Sequence, residues 1–180
     1  MKHIPNIITL TRLCLIPVFC YFLWNENDFA AGLVFIVAAL SDVVDGYLAR
    51  KLNAISNFGK LADPFADKLM QISAIVLLFL LGRLKAWIMI MLFIKDFILV
   101  IGGLLYKLIY NFTVSSKWFG KLSALILNVI IAVCILFSLS MNITNMLMMI
   151  AMALQITSLI GYAVLSLKEL KKMKNQKKEA

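Results

Sequence analysis

Four aspartates stand where a long apolar sequence has little reason to place them: Asp42, Asp45, Asp63 and Asp67. A charged side chain near the centre of a bilayer costs at least about 2.5 to 3.5 kcal/mol and marks function by default. Asp42 and Asp45 are three residues apart and Asp63 and Asp67 four apart, so on helices each pair occupies one face. Gly46 and Ala49 fall beside the first pair and leave space for a ligand or a close helix. The connection between the pairs is short and polar, with Lys51, Asn53, Ser56 and Asn57, and Gly59 permits a sharp turn. Two antiparallel neighbouring helices would therefore bring four carboxylates together. Such a group stays ionised in a low-dielectric site only with cations among it; otherwise it must take up protons. Two divalent ions about 3.5–4 Å apart would balance the charge and clamp a phosphoryl group in transfer. Arg50 adds a guanidinium, a shape suited to phosphate. Carboxylates, arginine and small residues together describe a diphosphate site. Helix capping and solvated loop charge account for one or two of the aspartates but not for the spaced set.

The elements that must carry these residues are membrane spans. Of the 180 residues 63% are apolar, with a mean hydropathy of +0.95. The apolar residues come in runs of about 20, the length of a helix that crosses a bilayer. Six spans are expected, at Ile7–Trp24, Phe29–Ala49, Leu61–Leu81, Trp87–Tyr110, Trp118–Leu139 and Ile143–Leu167. Trp24, Trp87 and Trp118 sit at span ends as interfacial anchors. The architecture predicted is all-α and integral to the membrane: six transmembrane helices with a short N-terminal interfacial start. One membrane domain would cover residues 1–167, followed by a basic cytoplasmic tail at 168–180 that extends the last helix and anchors topology. The N-terminal apolar stretch reads as a retained first helix, because Pro5, Asn6, Thr9 and Arg12 interrupt its start and no small-residue cleavage site follows.

The net charge of +9 gathers at span ends and in the tail, which excludes a nucleic-acid face and fits a topology signal. Lys2, Arg50, Lys51, Lys60, Lys107, Lys117, Lys121 and the tail lysines fall on one side of six spans. Both termini are thus expected in the cytoplasm, with Arg83 and Lys85 as a minor violation. Cys14, Cys20 and Cys134 lie in apolar runs without paired spacing and read as small buried hydrophobes. The single histidine, His3, is terminal, so a metal would rely on oxygen ligands, which suit magnesium or manganese.

The pattern D-x2-D-G-x2-A-R-x8-G-x3-D-x3-D is met at every fixed position by Asp42, Asp45, Gly46, Ala49, Arg50, Gly59, Asp63 and Asp67. It resembles the signature of the CDP-alcohol phosphotransferases, and chain length and span count agree with that family. The resemblance implies a phosphatidyl transfer from CDP-diacylglycerol to an alcohol. It implies two divalent ions, Mg2+ or Mn2+, one held by Asp42, Asp45 and Asp63 and the other by Asp42, Asp63 and Asp67. Gly46, Arg50 and Ser56 would contact the CDP part, and Asp67 would be the base for the acceptor hydroxyl. A homodimer in the cytoplasmic membrane is also implied.

The segment IPNIITLTRLCLIPVF resembles the start of bacterial phosphatidylglycerophosphate synthases and related cardiolipin synthases. There Asn6 would support the nucleotide site, Thr9 lies on the same stripe, and Arg12 would meet phosphate; the alternative is an arginine snorkelling to lipid headgroups. Lys95 and Asp96 lie deep in the fourth span. They read either as an ion pair or as an acceptor site in which Lys95 faces glycerol phosphate, where those synthases carry arginine. Lys117 and Lys121 belong to a Gly-Lys segment and are candidate phosphate contacts or plain topology lysines; Ala124 and Leu127 replace the Thr and Gln that many members carry. Lys68, in LADPFADK, would balance the acidic cluster. The acceptor expected is sn-glycerol 3-phosphate; the alternative is phosphatidylglycerol, giving cardiolipin. Two other classes, a prenyltransferase and a carboxylate-lined transporter, leave Gly46, Ala49, Arg50 and Gly59 unexplained.

Overall fold

The computed structural model describes the backbone of residues 4–51, 57–110 and 118–179 and the side chains of 11–41, 65–102, 120 and 122–161. Among the described residues six helices follow in order: α1 (Ile4–Trp24), α2 (Asp28–Lys51), α3 (Asn57–Leu80), α4 (Ala86–Tyr110), α5 (Trp118–Leu136) and α6 (Met141–Glu179). Each coincides with one expected span. Helix α6 continues through the lysine-rich segment to Glu179, the extension expected of the tail, because that segment lacks the Gly or Pro that would end it. Helix α1 runs on through Pro17, which removes the amide that would bond the Leu13 carbonyl.

Three short turns lie at the end of the bundle away from the aspartate-bearing helix ends, and all close in the same way. The Gly82 amide bonds the Phe79 carbonyl at 3.0 Å and the Arg83 amide the Leu78 carbonyl at 2.8 Å, with φ of +70° at Gly82. This is the Schellman closure, which satisfies the last carbonyls of α3. Glu26 (φ 56°) closes α1 and Ser138 (φ 46°) closes α5 by the same bond pattern without glycine. Asn27 caps α2 by accepting the Ala30 amide at 3.2 Å.

Helix α1 packs on α2 and α3, α5 lies between α2 and α6, and α4 touches α3 and α6. The core is formed by Phe19, Leu23, Phe35, Leu78, Ile88, Leu92, Leu127, Ile131, Ile135 and Met148. Gly32 brings α2 close to α5: a Cβ there would lie 2.7 Å from Leu136 Cδ1 and 3.1 Å from its Cα.

The outside of the bundle is as apolar as its inside. Phe29, Phe65, Phe97, Val100 and Phe137 are each more than 60% exposed, far more apolar surface than a water-soluble domain presents. Trp24 and Trp87 are exposed at helix ends, in keeping with interfacial anchoring. Among the described residues one stretch, Met141–Gly161, is long and apolar enough by itself to cross a membrane; Thr11–Trp24, Asp28–Ser41 and Leu122–Leu136 are shorter apolar helices. Of the cysteines, Cys134 is buried as expected, Cys20 is half-buried, and Cys14, expected to be buried, is exposed instead.

A polar clasp holds the turn end. Asp28, at the start of α2, accepts from Arg83 Nη1 at 2.7 Å and from the Ser138 hydroxyl. It thereby ties the α3–α4 and α5–α6 turns to α2. Arg83, a violation of the charge pattern in sequence, is neutralised inside the fold. The Lys85 amide, just ahead of α4, donates to Asn145 Oδ1 of α6 at 3.0 Å.

Candidate active site

The motif residues divide between two helices that touch. Asp42, Asp45, Gly46, Ala49 and Arg50 occupy the C-terminal half of α2, and Gly59, Asp63 and Asp67 the N-terminal half of α3. Ser56 and Lys117 lie outside the described residues. Asn6 and Thr9 fall on the first turns of α1 and Lys121 near the start of α5. The side chains of Arg12, Asp67 and Lys95 are described.

Arg12 and Asp67 line one narrow cleft together with Phe35, Ala38, Gln71 and Asn128, where α1, α2, α3 and α5 converge. Arg12 is 1% exposed. An arginine that snorkels to headgroups keeps its guanidinium in water; this one is enclosed by protein beside a carboxylate. Arg12 therefore does not snorkel in this fold but lies inside the bundle. Asp67 is half-buried in the same cleft. Gln71 follows it by one helical turn, about 6 Å further along the axis of α3. The cleft thus continues the aspartate face of α3 toward the middle of the bundle.

Lys95 is turned into the bundle and engaged on two sides, by the Asp96 carboxylate and by Gln155 of α6. Adjacent residues on a helix point in different directions, but the four-carbon lysine stem is long enough to fold back. The Lys95–Asp96 ion pair is thus formed in the fold. Lys68 does not turn back onto Asp67: its ammonium bonds Asp96 Oδ2 at 2.7 Å and Gln71 Oε1 at 2.8 Å. Gln71 Nε2 in turn donates to Asn128 Oδ1 at 2.8 Å. A continuous polar chain thus joins α3, α4, α5 and α6 at the level of the cleft. Sequence reading passed over Gln71, Asn128 and Gln155; the signal available was an amide side chain inside an otherwise apolar run.

The donor set on α2 and α3 consists of carboxylates alone, hard oxygen ligands that fit Mg2+ or Mn2+. Among the described residues no group of three or more His, Cys, Asp or Glu side chains gathers elsewhere.

An all-helical bundle with an aspartate motif across one helical hairpin and an arginine enclosed beside it has the form of a membrane-associated phosphotransferase. Residues 2–157 match the family model described as CDP-alcohol phosphatidyltransferase. The chain belongs to that family. It is 31% identical to the CDP-diacylglycerol--glycerol-3-phosphate 3-phosphatidyltransferase of Aquifex aeolicus, over 90% of this chain and 94% of that protein. It is 38% identical to the Bacillus subtilis protein of the same name over 54% of this chain, a match that spans 58% of the relative. A third relative of that name, from Pseudomonas fluorescens, is 49% identical over 42% of this chain and 40% of its own length.

Proposed function

We propose that this chain transfers the phosphatidyl group of CDP-diacylglycerol to sn-glycerol 3-phosphate, giving phosphatidylglycerophosphate and CMP. The observation that carries the reading is the complete eight-position motif on the touching helices α2 and α3, with Asp67 sharing a cleft with the enclosed Arg12. Three relatives named for this reaction support the choice of acceptor.

Asp42, Asp45 and Asp63 would hold one divalent ion and Asp42, Asp63 and Asp67 a second, Mg2+ or Mn2+, and these would supply charge neutralisation at the phosphoryl oxygens. Gly46, Ala49, Arg50, Ser56 and Gly59 would bind the CDP part, with Asn6 and Thr9 alongside. Arg12 holds fixed positive charge against the phosphate oxygens. The acceptor hydroxyl oxygen attacks the phosphatidyl phosphorus while the bond from phosphorus to the CMP oxygen breaks. Asp67 takes the hydroxyl proton. A carboxylate close to cations is a weak base, so the proton moves late, as the new phosphorus–oxygen bond forms. Lys117 and Lys121 would meet the acceptor phosphate. Lys95 serves that acceptor only by exchanging one of its present partners.

The setting is the cytoplasmic membrane, crossed by all six helices, with both termini in the cytoplasm and the chain paired as a homodimer. Residues 1–167 form the membrane domain and residues 168–180 the cytoplasmic tail. The apolar outer surface supports the spanning reading, and Arg83, one of the two exceptions to the charge rule, is held by Asp28. The test is an acceptor panel: purified protein in mixed micelles with CDP-diacylglycerol, magnesium or manganese, and one alcohol at a time, read by CMP release. Release with glycerol 3-phosphate is expected. Release with phosphatidylglycerol alone would transfer the chain to cardiolipin synthesis, and release with no alcohol would refute the reading.

A further inference from the structure

The cleft beside Asp67 is edged by two amide side chains that the reaction above does not use. Gln71 is only 3% exposed, one turn beyond Asp67 on the same face of α3, and Asn128 faces it from α5. A buried amide is costly unless its oxygen and its NH2 group are both served. Here the service has a direction that chemistry fixes. The Lys68 ammonium can only donate, so the Gln71 atom 2.8 Å from it is the oxygen. The Gln71 NH2 must then face Asn128, and the Asn128 atom 2.8 Å away must be its oxygen. That leaves the Asn128 NH2 as the donor end of the chain, on a residue that lines the cleft with Asp67 and Arg12. The other end is secured by Asp96, which holds Lys68 at 2.7 Å.

We propose that Gln71 and Asn128 are positioning residues for Asp67: an Asp96–Lys68–Gln71–Asn128 relay locks the Asp67 face of α3 against α4 and α5 and turns a donor amide to the cleft. The need for such a device is visible in the packing. Helix α3 touches α5 only sparsely, whereas α1 packs broadly on it. Among the described residues the Gln71–Asn128 bond ties α3 to α5 one turn beyond Asp67. Free rotation of α3 by a few degrees would displace the carboxylate relative to the phosphorus under attack, and a misplacement of about 1 Å can cost a hundredfold in rate.

The inference rests on the phosphatidyl-transfer reading, and the experiment separates the two. Wild-type protein, Gln71→Met, Asn128→Leu and the exchanged pair Gln71→Asn/Asn128→Gln are assayed for CMP release, with kcat and KM normalised to folded protein by size-exclusion fluorescence. Methionine matches glutamine in length and flexibility, so Gln71→Met removes the bonds without opening a void. The expected result is a kcat lower by about ten- to a hundredfold in both single variants. The KM for CDP-diacylglycerol should be unchanged, and the exchanged pair, which restores an amide-to-amide bond, should recover most of the loss. Wild-type kcat in the folded single variants would overturn the relay while leaving the phosphatidyl-transfer reading intact. So would single-variant losses that the exchange fails to repair, which would point to separate contacts. A wild-type enzyme inert toward every alcohol would remove both, since no transfer would remain for Asp67 to be positioned for.

Discussion

Removing Arg83 should harm the fold more than removing both Arg83 and the aspartate it pairs with. The two side chains meet at 2.7 Å, with Asp28 9% exposed and Arg83 20% exposed. Arg83→Ala strands a carboxylate that is nine-tenths out of water, with the Ser138 hydroxyl and the N-terminal turn of α2 as its remaining support. Breaking a buried pair from one side costs about 3–5 kcal/mol; the residual support places this variant near the lower bound, about 3 kcal/mol. Asp28→Ala strands the better-solvated partner, which can turn to water, and about 2 kcal/mol is expected. In a chain of this size each kcal/mol moves the midpoint by about 2–4 °C, so falls of roughly 6–12 °C and 4–8 °C follow. The double variant leaves no stranded charge and should melt above Arg83→Ala alone. The assay is tryptophan-fluorescence melting of purified protein in one detergent. CMP release should survive below the melting range, because Asp28 precedes Asp42 by 14 helical residues, about 21 Å. Additive losses, with the double variant melting below both single variants, would refute the reasoning. A change within about 1 °C for Arg83→Ala would also refute it, since that is how a solvated surface pair behaves.

Three further outcomes test other links. Asp67→Asn should reduce CMP release by at least about a thousandfold while CDP binding largely survives, as expected for loss of the base and one ion ligand; chelation of divalent ions should abolish release in the wild type, with Mg2+ or Mn2+ restoring it. Gly32→Ala should cost about 1–3 kcal/mol, read as a lower melting temperature, because the new methyl lies 3.1 Å from the Leu136 backbone. Glu26→Gly should raise the midpoint by roughly 2–4 °C, since exposed Glu26 holds φ of 56° that glycine adopts without strain; Ser138→Gly should gain less, because it forfeits the hydroxyl donated to Asp28.

The division between what could be read in advance and what could not follows sequence distance. Helix positions depend on runs of neighbouring residues, and the six helices were legible from apolar length, with some ends marked by the tryptophans. The aspartate motif was legible because its residues share two adjacent helices and one short connection. The bonds that hold the bundle together join residues far apart in sequence: Asp28 with Arg83 across 55 positions, Gln71 with Asn128 across 57, Lys95 with Gln155 across 60. No periodicity announces such pairs, because each consists of single polar residues whose partner depends on how helices are arranged.

The same bonds explain why this bundle needs polar ties at all. On the membrane-spanning reading proposed above, apolar side chains gain little from leaving lipid for one another, so helices are held by close packing and by hydrogen bonds between them. Close packing is supplied where Gly32 lets α2 approach Leu136 of α5, and by Phe19 on Phe35 with ring centroids 5.7 Å apart. Both contacts involve α2. Helices α3 and α4 touch each other over a smaller surface, where Lys68 bonds Asp96 near the cleft, while at the turn end Arg83, just past α3, bonds Asp28 of α2. A bond near each end fixes the rotation of α3 as well as its position, which a single greasy contact cannot do. Rotation is the coordinate that matters for Asp67, whose carboxylate must stay on the side of α3 that faces α2 if it is to hold a divalent ion together with Asp42, as proposed.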